Sequence, residues 1–356
     1  MKAAPRDALL AWYDASRRDL PWRKTRDPYA IWVSEAMLQQ TRVETVIPYY
    51  ERFLARFPDV AALAGAELEE VYGLWAGLGY YSRARNLKAA AQAVRDRFGG
   101  ALPAEAEALR TLPGVGRYTA GAVSSIAFGR PEPVVDGNVE RVLSRHLGLR
   151  APVKESATAR RIWEEAARLA DGSRPGDLNQ ALMELGATIC TPRAPRCDDC
   201  PWSPGCDARA AGDAESLPRK APKAKPKSAR AAAVLVLRGG KALLVRRPAG
   251  ALLGGFWELP GVDLEGGEKP ERVLAPRLRE RLGVAVEALE AAGALTHVFT
   301  HRRLRLHLFR GRCGPGRLRP SGYQGHRWVS VGSLAEVPAS KLTRKALCLL
   351  LAEPRP

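Results

Sequence analysis

Four cysteines stand within 17 residues, Cys190, Cys197, Cys200 and Cys206, spaced C-x6-C-x2-C-x5-C, while Cys313 and Cys348 stand alone. Thiolates this close in sequence can surround one compact metal centre in a loop after a helix. Zinc ribbons usually pair two C-x2-C knuckles far apart, and only one knuckle is present, so a four-cysteine iron–sulfur cube is the better match. A second stretch, LPGVGRYTA at 112–120, holds a glycine hairpin before a helix. Gly114 and Gly116 can take positive φ, turning the chain around Val115 and leaving backbone N–H groups to face a phosphate. The start of the following helix adds partial positive charge. Taken alone, Gly-Val-Gly is a turn signal and no more. Two carboxylates complete the set. Glu35 lies in the apolar stretch WVSEAMLQQT and Asp136 opens VVDGNV; on their own they read as a helix glutamate and an N-cap.

These groups must be positioned by elements that the chain spells out in two styles. Residues 1–216 read as helical, with apolar spacing near 3.6 over 31–56, 66–77, 83–97, 118–128, 137–148, 155–170 and 177–190. The segment LPRKAPKAKPKSAR, 217–230, carries three prolines and six basic residues without an acid, and reads as an extended, solvated linker. Beyond it, AAAVLVLRGGKALLVRR reads as strand, Gly-Gly turn, strand. ERVLAPRLRERLGV suggests a helix whose extent Pro276 limits. LTHVFTHRRLRLHLFRG and HRWVSV alternate like further strands, making 231–356 an α+β domain. The fold class is therefore multi-domain, all-α then α+β.

Composition narrows the function. The formal charge is +18, and residues 217–356 hold 27 Lys+Arg against 10 Asp+Glu, leaving 29 against 28 in residues 1–216. Coding bias accounts for 44 Arg against 12 Lys, but not for an excess confined to one part of the chain. A polyanion, nucleic acid above all, is the partner this implies. No run approaches the roughly 18 apolar residues of a membrane span. The N-terminus MKAAPRDALLAWYDASRRDLPW is too interrupted by charge to be a secretory signal. A cytoplasmic, nucleoid-associated location without membrane contact is expected.

The cysteine spacing after ELGATIC, the hairpin LPGVGRYTA and the segment VVDGNVERVLSR, in this order, resemble the endonuclease III superfamily of DNA glycosylases. WVSEAMLQQTRVETV and the C-terminal domain narrow the resemblance to its adenine-excising branch, the MutY family. The resemblance covers essentially the whole chain. It implies a helix-hairpin-helix glycosylase region with one [4Fe–4S] cluster on the four cysteines, then a Nudix-like domain that recognises 8-oxoguanine. It further implies a monomer acting on double-stranded DNA that carries adenine opposite 8-oxoguanine or guanine. With the resemblance, Gly114, Val115 and Gly116 become a DNA-backbone site.

Residue roles follow from the resemblance. Breaking a purine–deoxyribose bond needs a protonated leaving base and a negative charge near the developing oxocarbenium ion, which two carboxylates of opposed pKa can supply. Glu35 would be the acid, its apolar neighbours raising its pKa, and Asp136 the stabilising charge, held and tuned by Asn138 and Tyr118. Relatives that also cut the strand carry a lysine where Tyr118 stands; a phenol cannot form a Schiff base, so base removal without strand cleavage is implied. Arg18, Leu20, Trp22, Arg23 and Gln180 match the adenine pocket. Leu38, Gln40, Thr41 and Tyr80 match positions that enter the duplex around the opposite base. Phe299, Thr300 and His301 match the 8-oxoguanine sensor, with threonine where relatives have serine. The Nudix motif keeps Glu268 and Glu280 but has Pro276, Arg277 and Arg281 where it wants Arg, Glu and Glu, so nucleotide hydrolysis is not expected. The rival readings are a bifunctional glycosylase/lyase, against which Tyr118 argues, a non-catalytic iron–sulfur DNA-binding protein, against which Glu35 and Asp136 together argue, and a Nudix pyrophosphatase.

Overall fold

The computed structural model describes residues 5–220, 226–248, 254–299 and 302–352. They form two compact units, residues 1–222 and 223–356. The first is helical: α1 Pro5–Ser16, α2 Pro28–Leu38, α3 Val43–Arg56, α4 Val60–Gly65, α5 Leu68–Trp75, α6 Ser82–Phe98, α7 Ala106–Leu109, α8 Arg117–Phe128, α9 Gly137–His146, α10 Ser156–Ala170, α11 Pro175–Thr188 and α12 Asp207–Ala210. No helix among the described residues is long and apolar enough to cross a membrane.

Local chemistry explains the helices that matter to the site. Asp27 caps α2, its carboxylate accepting from the N–H groups of Tyr29 and Ala30, and Pro28 opens the first turn. Tyr29 through Met37 are all buried, so α2 is a core helix rather than an amphipathic one, and Glu35 is carried inside with it. Helix α10 instead buries one face, while α9 and α11 are buried over most of their length. Val139, Val142 and Leu143 of α9 pack with Ile162 and Leu169 of α10 and with Leu178, Leu182 and Leu185 of α11. Helix α2 packs on α8, and α11 packs on both α8 and α9.

The apolar stretch 31–56 is not continuous: it breaks at Gln39–Arg42, where Gln40 takes φ 58°. Neither glycine nor proline marks the break in sequence; at it the buried Arg83 of α6 donates to the Gln39 carbonyl. Only Gly114 of the hairpin has positive φ, at 76°; Gly116 is extended, with φ −89°, and forms the N-cap of α8. A side chain at Gly114 would strike Asn86 of α6, 2.6 Å from the position of a Cβ, whereas nothing stands within 4 Å of one at Gly116.

The stretch 217–230 is only partly a linker. Leu217 is buried and its carbonyl accepts from Arg145 Nε, while the second unit's first strand already starts at Lys227. That unit contains β1 Lys227–Arg238, β2 Lys241–Arg246, β3 Trp257–Glu258, β4 Gly261–Leu264, α13 Pro270–Leu282, β5 Val286–Val298, β6 Arg302–Cys313, β7 Gly325–Ser330 and α14 Lys341–Leu351. The central β1 pairs antiparallel with β2 and β4 and parallel with β6, which pairs antiparallel with β5. Alternate residues of β1 face opposite ways: Ala232, Val234 and Val236 meet Leu274, Leu278 and Leu282 of α13, and Ala231, Ala233 and Leu235 meet Ala346, Leu347 and Leu350 of α14. Helix α13 runs straight through Pro276, contrary to the sequence expectation. Its three buried leucines, spaced four apart, hold it on the sheet and offset a proline cost of about 3 kcal/mol.

Candidate active site

A cavity of about 530 Å³ opens between α2, α8, α9 and α11. Glu35, Tyr118, Asp136 and Asn138 line it together with Arg18, Leu20, Trp22, Arg23 and Gln180. Residues 101 positions apart in the chain thus share one site. Leu38, Gln40 and Thr41 form part of the same lining. Tyr80 does not; it is 50% exposed on a separate turn.

The two carboxylates have different surroundings. Glu35 is 5% exposed and accepts one hydrogen bond, from the Tyr118 hydroxyl at 2.7 Å. Burial raises its pKa to about 7, reinforced by the charge of Asp136 and opposed by Tyr118. Asp136 caps α9. Its carboxylate accepts from the backbone N–H groups of Asn138 and Val139 at 2.9 and 2.8 Å and from the Asn138 amide at 2.9 Å. Burial pushes the Asp136 carboxyl upward too, opposed by its hydrogen bonds from Val139 and Asn138. Glu35 thus keeps a proton up to near neutral pH, while Asp136 is the carboxyl held by hydrogen-bond donors. The Tyr118 oxygen also lies 3.3 Å from Met183 Sδ, and burial beside both carboxylates keeps the phenol protonated.

Glu184 was not visible as a site residue in the sequence, yet it organises one wall. Arg18 donates to it from its backbone N–H, Nε and Nη2, and Arg23 donates from Nη2 at 2.8 Å. Burial pushes the Glu184 carboxyl up, but the two arginines outweigh this and hold it at about 2. The single hint was an acid on the mostly apolar helix of ALMELGA. The Glu184→Gln variant leaves two guanidinium groups facing a neutral amide. We expect it to melt earlier, by about 3 kcal/mol of stability, which thermal denaturation checks.

The four cysteines, all free thiols, line one small cavity. No three His, Cys, Asp or Glu side chains among the described residues converge closely enough for a single ion. Four thiols around one cavity match in number the four-cysteine ligation of an iron–sulfur cluster. Two arginines of α9 brace this loop. Arg145 donates to Cys190 Sγ at 3.3 Å and to the Thr191 carbonyl at 2.7 Å. Arg141 donates to the Cys190 carbonyl, the Gly186 carbonyl and the side chain of Asn138. A Cβ on Gly186 would stand 2.6 Å from that of Asn138, so the close approach of α11 to α9 requires glycine there.

In the second unit, Arg277 Nη2 lies 2.5 Å from Glu268 Oε1, and Arg281 Nη1 donates to the Gly261 carbonyl at 2.6 Å. A cation thus pairs with Glu268, one of the two motif glutamates that the chain keeps. Phe299 packs partly buried against the core, stacked edge-on with His297 at 4.6 Å. Thr300 and His301 lie outside the described residues.

Residues 33–168 match the HhH-GPD superfamily of base excision DNA repair proteins, and residues 231–349 match the NUDIX domain. The chain is 42% identical to the human protein named adenine DNA glycosylase, over 84% of this chain and 65% of that one, so it spans just under two thirds of that relative's length. The rat protein of the same name is 41% identical over 83% and 68%. The Schizosaccharomyces pombe one is 32% identical over 96% and 88%. Among solved structures, a thermostable thymine-DNA glycosylase aligns with TM-score 0.54 and 33% identity, covering 58% of this chain and 95% of the other.

Proposed function

The chain belongs to the adenine DNA glycosylase family, and on that premise we propose that it excises adenine paired with 8-oxoguanine or guanine in double-stranded DNA, without cutting the strand. The observation that carries this reading is the pair of carboxyl groups, Glu35 and Asp136, sharing one cavity.

The extruded adenine enters the cavity beside Arg18, Leu20, Trp22, Arg23 and Gln180. Glu35 gives its proton to N7, so that the base leaves with the electron pair of the C1′–N9 bond. The sugar becomes an oxocarbenium ion, and the Asp136 carboxylate, held in place by its three hydrogen bonds, stabilises it. Water then attacks C1′, and its proton passes to the Glu35 carboxylate, restoring the acid. Asn138 holds Asp136, and Tyr118 fixes the Glu35 rotamer. Because Tyr118 is a phenol whose hydroxyl is engaged with Glu35, no amine is available there for a Schiff base, which supports hydrolysis over lyase chemistry.

Leu38, Gln40, Thr41 and Tyr80 would fill the gap around the opposite base. Gly114, Val115 and Gly116, with open space before Gly116 and the first-turn N–H groups of α8, would bind backbone phosphate. Phe299, Thr300 and His301 of the second unit would read 8-oxoguanine, and the basic excess of that unit would supply salt-sensitive affinity for DNA. Cys190, Cys197, Cys200 and Cys206 would hold one [4Fe–4S] cluster, which when bound supplies iron–thiolate bonds that tie the loop together. The protein would act as a monomer.

The test is a labelled duplex with one adenine opposite 8-oxoguanine under single-turnover conditions, half of each sample treated with hot alkali. Breaks at the adenine only after alkali are expected. Breaks without alkali would establish lyase action, and no breaks from protein that binds the duplex would leave a binding protein.

A further inference from the structure

Four described non-glycine residues of the first unit lie in the left-handed region, and two of them, Gln40 at φ 58° and Tyr80 at φ 47°, stand on turns that share a neighbour. Such backbone persists only where surrounding structure over-determines it. Here one side chain does so for both. Arg83, at the start of α6 and 8% exposed, donates from Nη1 to the carbonyls of Ala36, Met37 and Gln39 at 2.9, 2.6 and 2.6 Å. Its Nη2 donates to Thr41 Oγ1, to the Leu78 carbonyl and to the Gly79 carbonyl at 3.1, 3.3 and 3.1 Å. Its Nε faces the Tyr80 carbonyl at 3.4 Å, and its guanidinium lies 5.3 Å from the Trp75 ring centroid and 5.7 Å from that of Tyr80.

No carboxylate pairs with this cation among its hydrogen-bond partners. The negative ends of the α2 dipole and the turn carbonyls stabilise it instead. Burial lowers its pKa, to about 10, which still leaves it charged at neutral pH. A buried cation satisfied by carbonyls is an expensive arrangement for mere packing, and its donors go to the last turn of α2 and to the two turns themselves. One turn, Gln39–Thr41, lines the active cavity, and the Gln39 amide reaches Thr119 of α8 at 3.3 Å. The other presents the exposed ring of Tyr80.

We propose that Arg83 is a positioning residue that locks the Gln40 and Tyr80 turns into a single rigid wedge, so that both enter the duplex in fixed register while adenine is extruded. This rests on the excision reading above. Arg83 touches neither base nor sugar; it acts through the geometry of the two turns.

The experiment uses full-length protein and a duplex with 2-aminopurine in place of the target adenine, its fluorescence reporting extrusion, in the Glu35→Gln background to stop cleavage. Single-turnover excision of adenine is measured in parallel without that background change. Arg83→Lys keeps the charge but offers one nitrogen where two terminal nitrogens now span both turns. The fluorescence rise should be lost and excision slowed by about 10²-fold, as misplacement on the ångström scale costs, with the shape of the rate–pH profile unchanged because Glu35 is untouched. A full fluorescence rise, or slowed excision with extrusion intact, would overturn the proposal.

If Arg83→Lys does not fold, a double-mutant cycle of Gln40→Ala and Tyr80→Ala replaces it. A rigid wedge predicts that the double variant loses little more extrusion than the worse single one, and additive losses overturn it. Wild-type protein that neither extrudes nor excises would instead refute the excision reading, which separates the two failures.

Discussion

Replacing Glu35 with glutamine should slow single-turnover excision by about 10²–10⁴-fold, the usual contribution of a positioned general acid, while making the protein more stable at alkaline pH. Both effects share one cause. Burial raises the folded-state pKa of Glu35 to about 7 against a reference of 4.5. A carboxyl whose pKa is raised on folding favours the fold when protonated. That contribution is complete below about pH 4.5, declines from there to 7, and is gone above it. At pH 8 the wild type therefore carries a penalty on the order of 3 kcal/mol that the amide does not. Melting curves of wild type and variant should converge near pH 4.5 and separate by several degrees at pH 8, the variant higher. The wild-type rate should fall on the alkaline side of pH 7 as Glu35 ionises. A variant that excises within threefold of wild type would remove Glu35 from the chemistry; one less stable than wild type at pH 8 would contradict its burial as a neutral acid.

Asp136→Asn separates two roles that coincide in one side chain. As an N-cap, asparagine serves as well as aspartate, and its amide oxygen can accept from the backbone N–H groups of Asn138 and Val139 as the carboxylate does. Stability should change by less than about 1 kcal/mol. The charge, however, is gone. Withdrawing a preorganised electrostatic stabiliser costs about 10²–10³-fold per interaction, and a full negative charge beside an oxocarbenium ion should cost at least that. Excision assays run beside melting curves distinguish the two roles. Retention of both would mean that Asp136 is only a cap, and loss of stability along with rate would mean that its charge serves the fold as well.

How much of this was legible in the chain differs by residue type. The change of style after residue 216, the cysteine loop and the helix around Asp136 follow from local spacing and composition, which sequence carries directly. The convergence of Glu35 and Asp136 does not, because it depends on α2 meeting α8 while α11 meets α9. Glu184, Arg83 and Arg141 were missed for a related reason. Their partners are carbonyls and side chains brought together only by tertiary packing, and an arginine among 44 carries no mark of its own. The same holds for the turn at Gln39–Arg42: its partner Arg83 lies more than 40 residues away. Pro276 shows the reverse, a strong local signal overridden by three buried leucines.

The pair formed by Arg277 and Glu268 has a practical side. A fold in which this carboxylate is already occupied by its own guanidinium asks nothing of a divalent ion there, so the second unit should keep its shape in chelating buffer. Excision can then be followed in EDTA, where magnesium-dependent nucleases in a preparation are silent, and alkali-dependent breaks that the Glu35→Gln protein fails to give can be ascribed to this chain.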